Sequence, residues 1–157
     1  MNEKTYDLTV KNENTEKQLV EVDGVNMIAN LTERQLSYCS ITPKTDEEKA
    51  TLYNIMNNPD KRVKDCINEV IKVKNVFVEV VNCTNQETGE VSTAPRIVLI
   101  DENGVGYQCV SLGVFSALKK LFAVYGEPST WTKPIPIKIK QISKGVKNLL
   151  TLNVDSK

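Results

Sequence analysis

The sequence predicts a mainly β protein: a five-stranded Greek-key barrel carrying one helix, with an N-terminal extension of short strands and helices. Three observations predict it. Period-two alternation dominates the chain from Lys72 onward, a single helical segment interrupts it between Ser111 and Gly126, and alternation then resumes as a hairpin. That hairpin, "PIPIKIKQISKGVKNLLTLNV" from Pro134 to Val154, carries four lysines and no acid. A chain of 157 residues is long enough to bury a core. No repeat or low-complexity stretch divides it, so 1–157 reads as a single domain, with 72–154 as the barrel and 1–71 integrated against it.

Before the barrel, "YDLTV", "KQLVEVDGV" and "LSYCSI" alternate and read as short strands between polar turns. Thr45 with Glu48 forms a capping box, and Leu52, Ile55 and Met56 give the helix behind it an apolar side. Asn58-Pro59 stops that helix and suits the start of another. Val63, Cys66, Ile67 and Val70 follow at i, i+3, i+4, i+7, a core-facing helical stripe. Lys61, Arg62 and Lys64 between them read as its solvated face.

The barrel then opens with "KVKNVFVEVV", in which Val76, Val78 and Val80 share one face and Phe77 and Glu79 the other. After the polar loop 82–95 comes the apolar strand "RIVLID", a glycine turn "ENGVG", and the returning strand "YQCV". In the helix, Leu112, Phe115, Leu118, Phe122 and Tyr125 form the expected core stripe, with Ser111 as cap and Gly126 and Pro128 as stops. Strands 135–142 and 149–154 complete the order β-β-β-α-β-β, with Ile135, Ile137, Ile139, Leu150, Leu152 and Val154 facing inward.

That order is the one found in the OB-fold, which binds oligonucleotides across its strands 2 and 3 and with the loops joining strands 1–2 and 4–5. Here those loops are 82–95 and 143–148. Net charge is zero, yet residues 1–71 hold 13 acids against 9 bases and residues 72–157 hold 7 against 11. The lysines of the hairpin imply an anionic partner, or else an edge strand protected from aggregation. Sequence-tolerant single-strand binding needs cations for phosphates and aromatic faces for bases. The candidates for the cationic part are Lys72, Lys74, Arg96, Lys138, Lys140, Lys144 and Lys147. The candidates for stacking are Phe77, Tyr107 and Trp131.

Other chemistry is poorly represented. The chain has no histidine, and Cys39, Cys66, Cys83 and Cys109 are scattered without a C-x-x-C pair, so neither a zinc site nor a nucleophile–base pair is read. No enzyme, cofactor or metal is expected, and the thiols read as reduced. Without a secretory signal or an apolar span, a cytoplasmic protein with no membrane partner is expected.

The blocks "LYNIMNNPDKRVKDCINEVIKVKNVFVEVV", "ETGEVSTAPRIVLIDENGVGYQCVSLGVFSALKKLFAVYGEP" and "PIPIKIKQISKGVKNLLTLNV" resemble a family of phage-type single-stranded DNA-binding proteins of Gram-positive hosts. The resemblance covers Leu52 to Val154. It implies an OB-fold that coats single-stranded DNA with little sequence preference in phage DNA replication or recombination, alongside proteins of those processes. It carries no residue map, so the site residues rest on strand parity and OB-fold topology. The chain departs from cellular relatives of this fold in ending at "NVDSK" rather than in a long acidic tail, which puts partner recruitment in doubt. The first fifty residues carry no recognised resemblance; they add strands to the barrel or pair with a second copy as a homodimer. The alternative is an OB-fold module that holds a peptide, such as a phage adaptor or host-takeover factor, without nucleic acid.

Overall fold

Alternating valines build the strand on which everything else is assembled. In the computed structural model, which describes residues 37–156 apart from the Lys144 side chain, β3 runs Val70–Thr84, longer at both ends than the alternation implied. A bulge between Val73 and Asn75 breaks its register against the next strand. The extra residue resets the pleat, so Ile71 and Val73 before it and Val76 and Val78 after it all face the same core.

The chain reaches β3 through β1 (Ser37–Cys39), helix α1 (Asp46–Asn57), the two-residue β2 (Lys61–Arg62) and a 3-10 turn at Val63–Cys66. The expected strands "YDLTV" and "KQLVEVDGV" lie outside the described residues. Helix α1 starts at the capping box as read: the Glu48 N–H donates to Thr45 Oγ1 at 3.0 Å, and the Thr45 N–H donates back to the Glu48 carboxylate. The second helix expected after Pro59 is absent from this segment. Val63 and Cys66 are buried, but Val70 is an exposed strand residue, so the helical stripe is realised for one 3-10 turn only.

Beyond β3 come β4 (Val91–Asp101), β5 (Gly106–Val110), helix α2 (Leu112–Tyr125), a 3-10 turn at Pro128–Thr130, β6 (Ile135–Lys144) and β7 (Lys147–Val154). The expected order β-β-β-α-β-β is therefore the observed one, with β1 and β2 added from the N-terminal side. The sheet order is β2-β5-β4-β3-β6-β7, with β1 on β3. β3 is paired along both edges: β4 takes one, while β6 (at 70–73) and β1 (at 77–79) share the other.

The sheet curls into a half-barrel rather than a sealed one. Among the described residues no ladder joins β5 to β7, the outer ends of the path apart from β2. The start of α2 stands in the gap instead, with Gly113 so close to the Leu150 carbonyl that a side chain there would collide with it.

Val114, Phe115, Leu118, Leu121 and Phe122 of α2 fill the concave side, against Ile135, Ile137 and Ile139 of β6. Leu150, Leu152 and Val154 pack at its margin, as expected. The helical stripe is rotated from the one read: Leu112 and Tyr125 are 68 % and 45 % exposed. A second, smaller cluster lies on the convex side, where Phe77, Val98 and Ile100 are roofed by Cys39, Ile41, Ile55 and Met56.

Candidate nucleic-acid interface

The convex face of the sheet divides into two halves of opposite character. Over β3, β4 and β5, which correspond to strands 1–3 of the barrel, the face is covered by α1 and the segment before it. Phe77 is on this outer face, as its parity required, but it is only 3 % exposed beneath that cover. Its ring is closed to a base.

Arg96 is also held inside the protein. Its guanidinium donates to the Glu79 carboxylate at 3.0 Å, to the Met56 carbonyl at 2.8 Å and to Gln108 at 3.2 Å. A charged fork satisfied on three sides clamps the end of α1 to the sheet rather than reaching for phosphate. Gly106 completes the fit, because Ile55 of α1 occupies the space a side chain would need.

Tyr107 departs from the expected side altogether. It is paired with Leu99 and belongs to the concave core, with its hydroxyl donating to Asp101 at 3.1 Å. Burial, then the nearby Asp101 carboxylate, push its pKa up to about 12. Lys74 stands at the bulge, exposed, but shares its recess with Glu47 and Glu48 of α1, which offset its charge.

The other half of the convex face, over β3, β6 and β7, is open and basic. Lys138 and Lys140 alternate outward between the buried isoleucines of β6. Register sets their neighbours. Lys138 stands opposite Val70 on β3 and Asn153 on β7, Lys140 stands opposite Thr151, and Lys72 stands opposite Pro136. Lys72 and Lys138 are thus diagonal neighbours on the ladder, roughly 7–8 Å apart. Lys138 and Lys140 are separated by a rise of roughly 6.7 Å.

None of Lys72, Lys138, Lys140 and Lys147 forms an ion pair among the described residues. Three acids, Glu69, Glu102 and Asp155, meet the row through main-chain bonds: Ile139 N–H to Glu69 O, Glu102 N–H to Lys72 O and Asp155 N–H to Pro136 O. Lys147 is exposed and its backbone pairs with Lys144 beside the hairpin tip; the Lys144 side chain lies outside the described residues. The structure therefore brings Lys72, Lys138 and Lys140 together, with Lys147 farther along the same hairpin, and leaves Phe77, Arg96 and Tyr107 out.

Trp131 occupies an intermediate position. Its indole N–H donates to the Gly126 carbonyl at 2.9 Å and its ring meets Phe122 edge-on at 6.2 Å, so one side packs against the core. Tyr125, read from the sequence as a core residue, is instead exposed at the end of α2 and lines a recess with Trp131. The signal for this was the helix stop itself: with Gly126 ending the helix at φ +81°, the residue before it has no further turn to pack beneath.

A family model described as phage single-stranded DNA-binding protein matches residues 32–155. No curated protein and no solved structure matches the chain.

Proposed function

Since the chain belongs to the phage single-stranded DNA-binding protein family and binds single-stranded DNA, we propose that it does so as a non-enzymatic coat with little sequence preference, in phage DNA replication or recombination. The observation that supports this reading is the lysine row, Lys72, Lys138 and Lys140, extended by Lys147 on the same hairpin. The row is an open track of positive charge on neighbouring strands, which suits a phosphate backbone and carries no means of telling one base from another.

The proposed path differs from the usual one for this barrel. The outer face of strands 2 and 3, here β4 and β5, lies under α1 and the Arg96 clamp. The strand therefore runs over the β3–β6–β7 half, on the convex side of the hairpin. Its setting is the cytoplasm of a bacterial host, where replication or recombination proteins are its natural company.

The test is a salt titration of oligo-dT binding by the parent and by a variant with Lys138, Lys140, Lys144 and Lys147 all replaced by alanine. Each lost phosphate contact flattens the log–log salt slope by roughly 0.7. The variant is expected to melt at nearly the parent temperature, since these residues face outward or sit at a hairpin tip, and to bind much more weakly. A folded variant that binds like the parent removes the lysine row from the interface.

A further inference from the structure

The lysine row does not simply stop at the start of β6. It runs into a recess of about 440 Å³ between the end of α2 and the last residues of β7, walled by Tyr125, Trp131, Lys133, Pro134, Pro136 and Asp155. We propose that this notch receives one unpaired base of the bound strand, with Tyr125 and Trp131 presenting ring faces and Lys133 holding the adjoining phosphate. The proposal rests on the single-strand path argued above and adds the aromatic element which that path otherwise lacks.

Four observations carry it. The first is the fate of the other rings among the described residues: Tyr38, Phe77, Tyr107, Phe115 and Phe122 are buried and offer no face to a base, while Tyr53, 64 % exposed, belongs to α1 on the covered half of the sheet. Tyr125, 45 % exposed, is an aromatic side chain that lines a recess. The second is the rigidity of Trp131. Its N–H is already satisfied by Gly126, and Phe122 stands at 86° to it, so the indole plane is fixed before any ligand arrives. A platform held in place loses little freedom on binding.

The third is continuity. Pro136, one wall of the notch, shares the outward parity of Lys138 and Lys140 on β6 and stands opposite Lys72 on β3. A strand following the row is led to the notch without crossing the covered half of the sheet. The fourth is the pattern of charge. Asp155 lies in the wall, fixed by its N–H donating to the Pro136 carbonyl at 2.8 Å, and a carboxylate there disfavours a phosphate inside. What enters is a base, and its phosphate stays outside at Lys133, which is exposed and in no ion pair among the described residues.

Trp131 is the sole tryptophan, so its emission reports the notch alone. Oligo-dT binding is followed in parallel by that emission and by the anisotropy of a labelled oligonucleotide. The expected result is that emission falls in step with anisotropy and recovers when salt releases the strand. Tyr125→Leu keeps bulk at an exposed site but loses the flat ring. It is expected to weaken binding about tenfold, the scale of one lost stacking contact, with melting temperature and salt slope unchanged. Lys133→Ala is expected to flatten the slope by roughly 0.7 instead. Unchanged emission at full anisotropy, or full affinity in folded Tyr125→Leu, overturns the notch while leaving the lysine track standing. A parent protein that shows no anisotropy change with oligo-dT overturns both.

Discussion

The ring of Phe77 is packed against Val98 and Ile100 beneath α1, so its truncation leaves a cavity. Phe77→Ala is expected to lower stability by about 3–5 kcal/mol in denaturant titration, while the folded fraction binds oligo-dT as the parent does. A loss of affinity without a loss of stability would return Phe77 to the interface. Two neighbours inside the barrel titrate at high pH. Burial and Asp101 raise the Tyr107 hydroxyl from 10.0 to about 12, and burial alone raises the Cys109 thiol from 9.0 to about 12. In both, the folded state holds its proton more tightly than the unfolded chain. Their contribution is therefore complete below pH 9 and is lost as pH rises toward 12. The melting temperature is expected to fall across that window, and Tyr107→Phe is expected to flatten the part of the fall above pH 10. The parity of Phe77 was legible in "KVKNVFVEVV", but its burial was not, because exposure depends on what a distant segment lays over that face. The anchoring of Arg96 was not legible for the same reason: its partners Met56 and Gln108 lie 40 and 12 residues away, beyond any local pattern.

Among the elements, α2 and the β6–β7 hairpin were the most legible, since each carries an apolar period of its own and clear stop signals. The turn at Val63–Cys66 was not, because four apolar residues at helical spacing fit both a helix and a turn entering a strand. A sharper test of how the elements meet is Gly113. In an isolated helix, glycine to alanine stabilises by roughly 1 kcal/mol. Here the new methyl would be driven into the Leu150 carbonyl, which is backbone and cannot rotate away. Gly113→Ala is therefore expected to destabilise by about 1–3 kcal/mol, the range for an overpacked contact, visible as a lower denaturant midpoint. A stabilised variant would mean that α2 does not stand against β7 in solution. At the other end of the chain, Thr45→Ala removes one half of the capping box and is expected to cost about 1 kcal/mol. That loss stays local to α1, whose residues are all at least partly exposed.

For the whole molecule, the distribution of cover decides what it can bind. With the β4–β5 face roofed and the lysine row open, single strands are expected to bind much better than duplex, since the rings at the row's end can stack only on unpaired bases. Competition of labelled oligo-dT by unlabelled single and double strands measures this directly, and equal competition would reduce the interface to plain charge attraction. The overall order of strands was readable because each carries its own period. The roofing was not, since it arises from contacts between residues far apart in the chain. The central position of β3 has a further consequence, which hydrogen–deuterium exchange would display. β3 is bonded along both edges, whereas β7 is bonded to β6 alone and its other flank faces the start of α2 across a gap. Amide protons of Val76 to Val78 are expected to be replaced only when the whole chain opens, and those of Leu150 to Val154 through smaller, local openings. The strand that borders the lysine row is then the part of the barrel most able to yield, and a nucleic acid lying across β6 and β7 should slow that replacement where it was fastest.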